Sequence, residues 1–93
     1  MRFRAEVVVS LKPGLADPQG KAIQSALPTL GWPGVSQVHV GKYLTLVVEA
    51  GSQADAAEQV AAMSERFLSN PVIEDHRIVS LAPAGDVSFE GAP

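Results

Sequence analysis

Residues 2–20, RFRAEVVVSLKPGLADPQG, contain the transition that decides the fold. In the first half of this stretch every second residue is apolar: Phe3, Ala5, Val7, Val9 and Leu11. That two-residue period is typical of a β-strand with one buried face. The pair Asp17-Pro18 then predicts the start of a helix, because the carboxylate can accept free backbone N–H groups and proline fits the first helical position.

Apolar residues continue at helical spacing beyond that start: Ile23, Ala26, Leu27 and Leu30. Pro28 interrupts the pattern, because proline lacks the N–H group of a helical hydrogen bond and crowds the preceding turn. We therefore expect a regular helix to about Leu27 and a tighter or irregular turn after it. Gly31 suits the exit from this helix.

The rest of the chain predicts three more strands and one more helix. Residues 35–40 and 43–49 have strand patterns, and Gly41-Lys42 between them is short enough for a hairpin. Ser52 begins the second helix, with Asp55 three residues on as a shortened capping box. Asn70-Pro71 ends that helix, and residues 72–81 form the last strand. The predicted core stripe of the second helix has six members: Ala57, Val60, Ala61, Ser64, Phe67 and Leu68.

The predicted order is β-α-β-β-α-β, which right-handed crossovers fold most readily into a ferredoxin-like sandwich. We expect an α+β fold with one antiparallel four-stranded sheet and both helices on one face. Residues 1–81 form the single domain. Residues 82–93 are rich in Pro, Gly and Ala and form a flexible C-terminal tail, in which Val87 and Phe89 are candidates for docking on the domain.

Composition restricts the function classes. The chain has 93 residues, a net charge of −3 and scattered basic residues, which argues against nucleic acid as a partner. The apolar runs are far shorter than the ~18 residues of a membrane span, and no signal peptide is expected. Cysteine is absent, which excludes disulfides, thiolate metal sites and a cysteine nucleophile in this chain. The expected location is the cytoplasm.

No catalytic, cofactor or metal site is predicted. His39 and His76 have no second His, Cys or spaced carboxylate cluster beside them, so hydrogen-bonded or solvated histidines are expected. Glu74, Asp75 and His76 are consecutive, so their side chains alternate between the two faces of a strand. No phosphate-binding glycine loop occurs, and the Asp17 cap occupies the helix start where an anion could bind.

The sheet face away from the helices is the more informative surface. If Phe3, Val7, Leu44, Leu46 and Val48 face the helices, then Val8, Tyr43 and Val47 lie on the opposite face. The third strand carries a single ring, Tyr43, so the paired aromatics of an RNA-binding sheet are missing. A half-apolar open face on a small domain indicates self-association; ordinary exposure of single valines is the alternative.

Three segments together resemble a known family. They are VSLKPGLADPQGKAIQSAL at residues 9–27, VGKYLTLVVE at residues 40–49 and MSERFLSNPVIEDHRI at residues 63–78. In combination and order they are similar to PurS, the small subunit of phosphoribosylformylglycinamidine synthase. The resemblance covers about residues 3–81. Pro28 and the tail after Leu81 depart from the family pattern.

The resemblance implies a subunit of a glutamine-dependent, ATP-consuming ligase of purine biosynthesis. In that family a large subunit binds ATP, magnesium and the ribonucleotide substrate, and a glutaminase subunit releases ammonia with a cysteine nucleophile. PurS-like chains form homodimers or homotetramers and hold the other two subunits together for ammonia transfer. The chain itself is then a non-catalytic scaffold without a cofactor.

Motif positions supply the partner-interface candidates: Lys12, Gly41, Lys42, Asn70 and Glu74. Other motif residues, Gly14, Asp17, Pro18 and Pro71, have sufficient structural reasons as turn or cap residues. The alternative interpretation is an ACT-like regulatory domain that senses a small molecule, since Pro13-Gly14-Leu15 after a first strand and the element order are shared with that module. A stand-alone enzyme is a distant third, because no nucleophile–base set can be assembled.

Overall fold

The alternating pattern correctly predicts the first strand, β1 (Arg2–Leu11), which is the central strand of the sheet. The structure is a computed structural model and describes residues 1–84. The remaining elements are α1 (Pro18–Ala26), a 3₁₀ turn (Pro28–Leu30), β2 (Lys42–Glu49), α2 (Gln53–Met63), a π-helical turn (Ser64–Leu68) and β3 (Glu74–Pro83). Together they form an α+β arrangement with the sheet order β2-β1-β3, in which β1 pairs antiparallel with both neighbours.

The core lies between one face of the sheet and α2. Its fully buried side chains are Phe3, Ala5, Val7 and Val9 from β1 with Ala56 and Val60 from α2. Val48 is also buried, and Leu44, Leu46, Ile78 and Leu81 pack against this cluster. Each fully buried Val or Phe side chain contributes about 1.5–3 kcal/mol by leaving water. The predicted division of the sheet residues between its two faces is confirmed.

Both predicted helix starts are confirmed by hydrogen bonds. The Asp17 carboxylate accepts the backbone N–H of Gly20 at 2.9 Å, and the Ser52 hydroxyl oxygen accepts the N–H of Asp55 at 3.1 Å. Leu27 makes the last helical bond of α1, and the 3₁₀ turn follows at Pro28. Gly31 closes that turn with a φ of 110°, a left-handed conformation that glycine adopts without strain.

The predicted strand at residues 35–40 is wrong, and so is the hairpin at Gly41-Lys42. This segment lies beside α1, because side chains of α1 and its cap take the N–H groups that a sheet ladder would use. The Gln24 amide oxygen accepts the N–H of Val38, and the Asp17 carboxylate accepts the N–H of Val40. Gln37, with a φ of 56°, also breaks the extended run. The sheet therefore has three strands in residues 1–84.

One residue of β3, Val79, is an extra residue in the pairing with β1. Glu6 pairs with Ser80 whereas Val7 pairs with Ile78, so the register shifts at this point. The resulting β-bulge lets Ile78 and Leu81, three residues apart, both face the core. The strand begins at Glu74 and ends at Pro83, and Ala84 after it is buried. Val87 and Phe89 lie outside the described residues.

The predicted core stripe of the second helix is partly wrong. Val60 and Ser64 are buried, but Ala61 is exposed and Phe67 is 86% exposed. The reason is the π-helical turn, in which the N–H of Ser69 donates to the carbonyl of Ser64 five residues earlier. The wider turn carries Phe67 away from the α-helical position that spacing predicts.

The described chain is long and thin. Its principal extents are 51 × 31 × 17 Å and its radius of gyration is 16.7 Å. A compact domain of this length has a radius of gyration of about 12 Å. The helix α1 buries only Gly20 and leaves Ile23 45% exposed. Its apolar stripe is therefore not covered by the described part of this chain.

Candidate functional site

The three motif segments meet at one end of the sheet. Because β2 and β3 both run antiparallel to β1, the last residue of β1 lies beside the first residues of the other two strands. We call this region, residues 12–17, 40–42 and 70–75, the motif end. It contains all five partner-interface candidates: Lys12, Gly41, Lys42, Asn70 and Glu74.

Lys12 joins the first and third motifs. Its backbone N–H donates to the carbonyl oxygen of Ile73 at 2.8 Å, and its ammonium group lies 2.6 Å from a carboxylate oxygen of Asp75. Both side chains of this ion pair are half-exposed. An exposed ion pair contributes only about 0–1 kcal/mol to the stability of a protein. The backbone hydrogen bond and the ion pair therefore serve mainly to fix the position of Lys12 relative to the third motif.

Asn70 and Glu74 hold the turn before β3. The side-chain amide oxygen of Asn70 accepts the N–H of Val72 at 3.1 Å, and the backbone carbonyl oxygen of Asn70 accepts the N–H of Glu74 at 2.7 Å. In return, the Glu74 carboxylate accepts the N–H of Asn70 at 2.7 Å. These reciprocal bonds give both residues a structural role, which sequence position alone does not reveal.

Gly41 and Lys42 complete the motif end. A Cβ atom on Gly41 would lie 2.7 Å from the carbonyl oxygen of Val9, so glycine allows the close approach of this segment to β1. The Lys42 ammonium lies 3.9 Å from Glu74. A cavity of about 220 Å³ lies between these residues and α1, with Asp17, Lys42 and Glu74 on its walls.

Asp17 is the most heavily used side chain of the site. Besides capping α1, its carboxylate accepts the N–H of Val40 at 2.8 Å and lies 3.7 Å from the His39 ring nitrogen Nδ1. The hydrogen bonds from Gly20 and Val40 hold the pKa of Asp17 below its ordinary value of 3.8. The carboxylate therefore has a structural role, as the capping interpretation predicts. Because it joins the start of α1 to the segment before β2, we call it the Asp17 clasp.

The open face of the sheet carries the three self-association candidates. Val8 pairs with Tyr43 across the two strands, and Val47 pairs with Arg4. Tyr43 is 60% exposed, whereas Val8 and Val47 are half-buried. Partial desolvation, and then a hydrogen bond to Glu6, raise the pKa of the Tyr43 phenol above 10.0. Arg4 lies 3.1 Å from the same Glu6 carboxylate.

The two histidines are separated. His39 lies beside Asp17 rather than in a strand, and His76 lies in β3 with its Nδ1 3.7 Å from a Glu65 carboxylate oxygen. Within residues 1–84, no group of three His, Asp or Glu side chains is placed to hold a metal ion. None of the helices in that same range is long and apolar enough to cross a membrane.

The motif end also carries exposed apolar side chains that are not among the five partner-interface candidates. Val72 is 79% exposed, and Ile73 and Leu15 are also exposed. The predicted last strand, residues 72–81, includes the first two, but residues 72–73 belong to the turn before β3, so that strand starts two residues later than predicted. The only available signal was their position directly after Asn70-Pro71 in a motif.

Comparison with known proteins places the chain in a family. The sequence pattern of PurS, phosphoribosylformylglycinamidine (FGAM) synthase, matches residues 4–81. The PurS subunit of Synechocystis sp. is 41% identical over 86 residues, which cover 92% of this chain and 86% of that protein.

Solved structures agree with that match. Thermus thermophilus PurS superposes with a TM-score of 0.76 at 40% identity, covering 87% of this chain and 95% of that one. A chain in the structure of PurLQS from Thermotoga maritima superposes with a TM-score of 0.77 at 29% identity, covering 84% and 95%. The ACT-like interpretation receives no support from these matches. The chain belongs to the PurS family of phosphoribosylformylglycinamidine synthase subunits.

Proposed function

We propose that the chain is the small, non-catalytic subunit of phosphoribosylformylglycinamidine synthase and that it bridges the ATP-dependent synthase subunit and the glutaminase subunit. The observation that carries this proposal is the likeness of the fold to a chain of the Thermotoga PurLQS structure, together with the family match over residues 4–81. The complex is a glutamine-dependent ligase of purine biosynthesis, and we place it in the cytoplasm.

The chemistry is divided among the subunits. Cysteine is absent from this chain, so a cysteine-dependent glutaminase reaction belongs to another subunit. ATP and magnesium belong to the large synthase subunit. The contribution of this chain is to fix the distance and orientation of the two catalytic subunits, so that ammonia released by one reaches the other before it escapes to solvent.

Two surfaces of the chain have different partners in this proposal. The motif end, with Lys12, Gly41, Lys42, Asn70 and Glu74, faces a catalytic subunit. The open face, with Val8, Tyr43 and Val47, contacts a second copy of the chain in a homodimer or homotetramer. Self-association is supported by the thin, elongated shape and by the apolar stripe of α1, since residues 1–84 of a single copy bury little of that stripe.

Reconstitution tests the bridging role. The synthase and glutaminase subunits of the same organism are mixed with and without this chain, and synthesis is followed with glutamine as the nitrogen source. We expect activity well above the level without the chain. An ammonium salt in place of glutamine is the control, because free ammonia makes bridging unnecessary. Equal glutamine-dependent activity when the chain is omitted would contradict the proposal.

A further inference from the structure

A cavity of about 470 Å³ lies between α1 and the segment that returns to β2. Its walls come from the turn before α1, from α1 itself and from residues 37–39. The volume falls within the roughly 300–1,000 Å³ that is typical of small-molecule sites. The bridging role proposed above does not account for this cavity.

Part of the wall is apolar. Four wall residues, from all three segments, offer apolar contact to a ligand: Leu15, Ala16, Pro18 and Val38. Leu15 is 43% exposed, so its side chain is available for such contact. Small-molecule sites combine apolar walls with a few polar groups that fix the orientation of the ligand.

Two amide side chains supply polar groups of that kind. The Gln24 amide oxygen accepts the N–H of Val38 at 3.2 Å, and the NH₂ group of Gln24 has no acceptor within residues 1–84. The amide of Gln37 makes no hydrogen bond in the same part of the chain. A carboxamide presents a donor beside an acceptor, which matches the edge of a nucleobase.

Lys21 supplies an unpaired positive charge at the wall. Lys12 and Lys42 each lie beside a carboxylate, whereas the Lys21 ammonium has no ion-pair partner within residues 1–84. The acidic wall residue, Asp17, is engaged by two backbone N–H groups and by the His39 ring, which offsets its repulsion of an anion. A lysine ammonium binds phosphate as a point charge.

The backbone of Gln37 is strained. Its φ of 56° lies in the left-handed region, which residues other than glycine rarely adopt. Such residues are concentrated at sites that bind ligands. Glycine would adopt this conformation without strain but would lack the amide. Glutamine at this position is explained if its side chain contacts a ligand.

We propose that this cavity binds a nucleoside monophosphate. Its base lies against the apolar wall residues, the amides of Gln24 and Gln37 bind the edge of the base, and Lys21 binds the phosphate. Both halves of the ligand contribute, because free phosphate meets a single unpaired lysine and a bare nucleoside leaves Lys21 without a partner. The site is additional to the bridging role and does not depend on it.

Calorimetric titration of the full-length chain tests the site. AMP and UMP are compared with adenosine, uridine and inorganic phosphate, and we expect at least one nucleotide to bind tenfold more tightly than its own nucleoside and than phosphate. Lys21→Ala should weaken that binding at least tenfold, because it removes a charge-assisted hydrogen bond. Arg66→Gln is the matched control, since it removes an exposed positive charge outside the cavity, and should bind as wild type.

Gln37→Gly separates binding from folding. Because glycine relieves the backbone strain, we expect an unchanged or raised midpoint of thermal unfolding. Nucleotide affinity should nevertheless fall roughly threefold to tenfold, as for the loss of one hydrogen bond.

Four results would overturn the site while leaving the bridging role, which reconstitution tests, intact. They are no nucleotide binding at millimolar concentration, phosphate binding as tight as nucleotide binding (an adventitious ion only), wild-type affinity in Lys21→Ala or Gln37→Gly, and an equal loss of affinity in Arg66→Gln.

Discussion

The Asp17 carboxylate accepts the backbone N–H of Val40, 23 residues further along the chain, at 2.8 Å. The same carboxylate caps α1 through Gly20, so one side chain fixes both the helix start and the segment that enters β2. This clasp explains why residues 35–40 follow α1 instead of adding a fourth strand to the sheet.

Removing the clasp lowers stability in a pH-dependent way. Because the folded pKa of Asp17 lies below 3.8, its contribution is complete above that pH and is lost as the pH falls through the lowered pKa. We expect Asp17→Ala to lower the midpoint of thermal unfolding by several degrees at neutral pH. Asp17→Asn, which keeps one acceptor oxygen, loses less. The difference between wild type and Asp17→Ala should shrink in acid; a constant difference would refute the assignment.

Gly20 is required by the packing of α1 against residues 37–39. A Cβ atom at this position would collide with the carbonyl oxygen of Val38, a backbone atom that moves only with its whole segment. We expect Gly20→Ala to reduce the free energy of unfolding by about 1–2 kcal/mol despite the better helix propensity of alanine. Gly34→Ala is the control, since nothing lies within 4 Å of its Cβ position. Denaturant unfolding of both variants checks the prediction, and equal stabilities would contradict it.

The single tyrosine reports on the open face. Desolvation and the Glu6 hydrogen bond favour the neutral phenol, so its absorbance titration should have a midpoint above 10.0. Stability from this group is present below pH 10.0 and is lost as the pH rises through the raised pKa. Glu6→Gln should move the midpoint back toward the ordinary value, because the negative charge is removed. A midpoint that the substitution leaves unmoved would show that Glu6 has no such influence.

Self-association should depend on the open face. A lysine at Val8, a half-buried position opposite Tyr43, would place a charge within the proposed contact between two copies. We expect Val8→Lys to weaken self-association at least tenfold in light scattering, which corresponds to a loss of about 1.4 kcal/mol. Val72→Lys, at the motif end, is the control and should leave the oligomer intact. An oligomer of unchanged size in Val8→Lys would place the contact elsewhere.

Short-range sequence patterns correctly predicted the structural features that depend on interactions within a few residues. Alternation located β1, and the side-chain caps Asp17 and Ser52 located both helix starts, because each acts within a few residues. Proline at position 28 correctly predicted the change from α-helix to a tighter turn.

Those local signals could not predict features that depend on competing hydrogen-bond acceptors or on residues far apart in the sequence. Residues 35–40 have a strand pattern, but Gln24 and Asp17 compete successfully for their N–H groups. Phe67 has helical spacing, but the π-helical turn rotates it into solvent. At the motif end, the antiparallel order alone brings the three segments together, and the 63-residue separation of Lys12 and Asp75 leaves no local trace of their contact.

The bulge at Val79 also determines how β3 can align with β1. In a regular ladder, a slide by two residues returns every side chain to its own face, so the alternation of apolar and polar residues does not by itself distinguish the two alignments. Here a slide by two residues would move the extra residue, Val79, away from the position at which Ile78 and Leu81 can both face the core. The two strands therefore have one workable alignment. Lys12 and Asp75 lie at the motif end of the paired strands β1 and β3. The bulge in the middle of β3 therefore also keeps the turn after β1 beside the turn before β3.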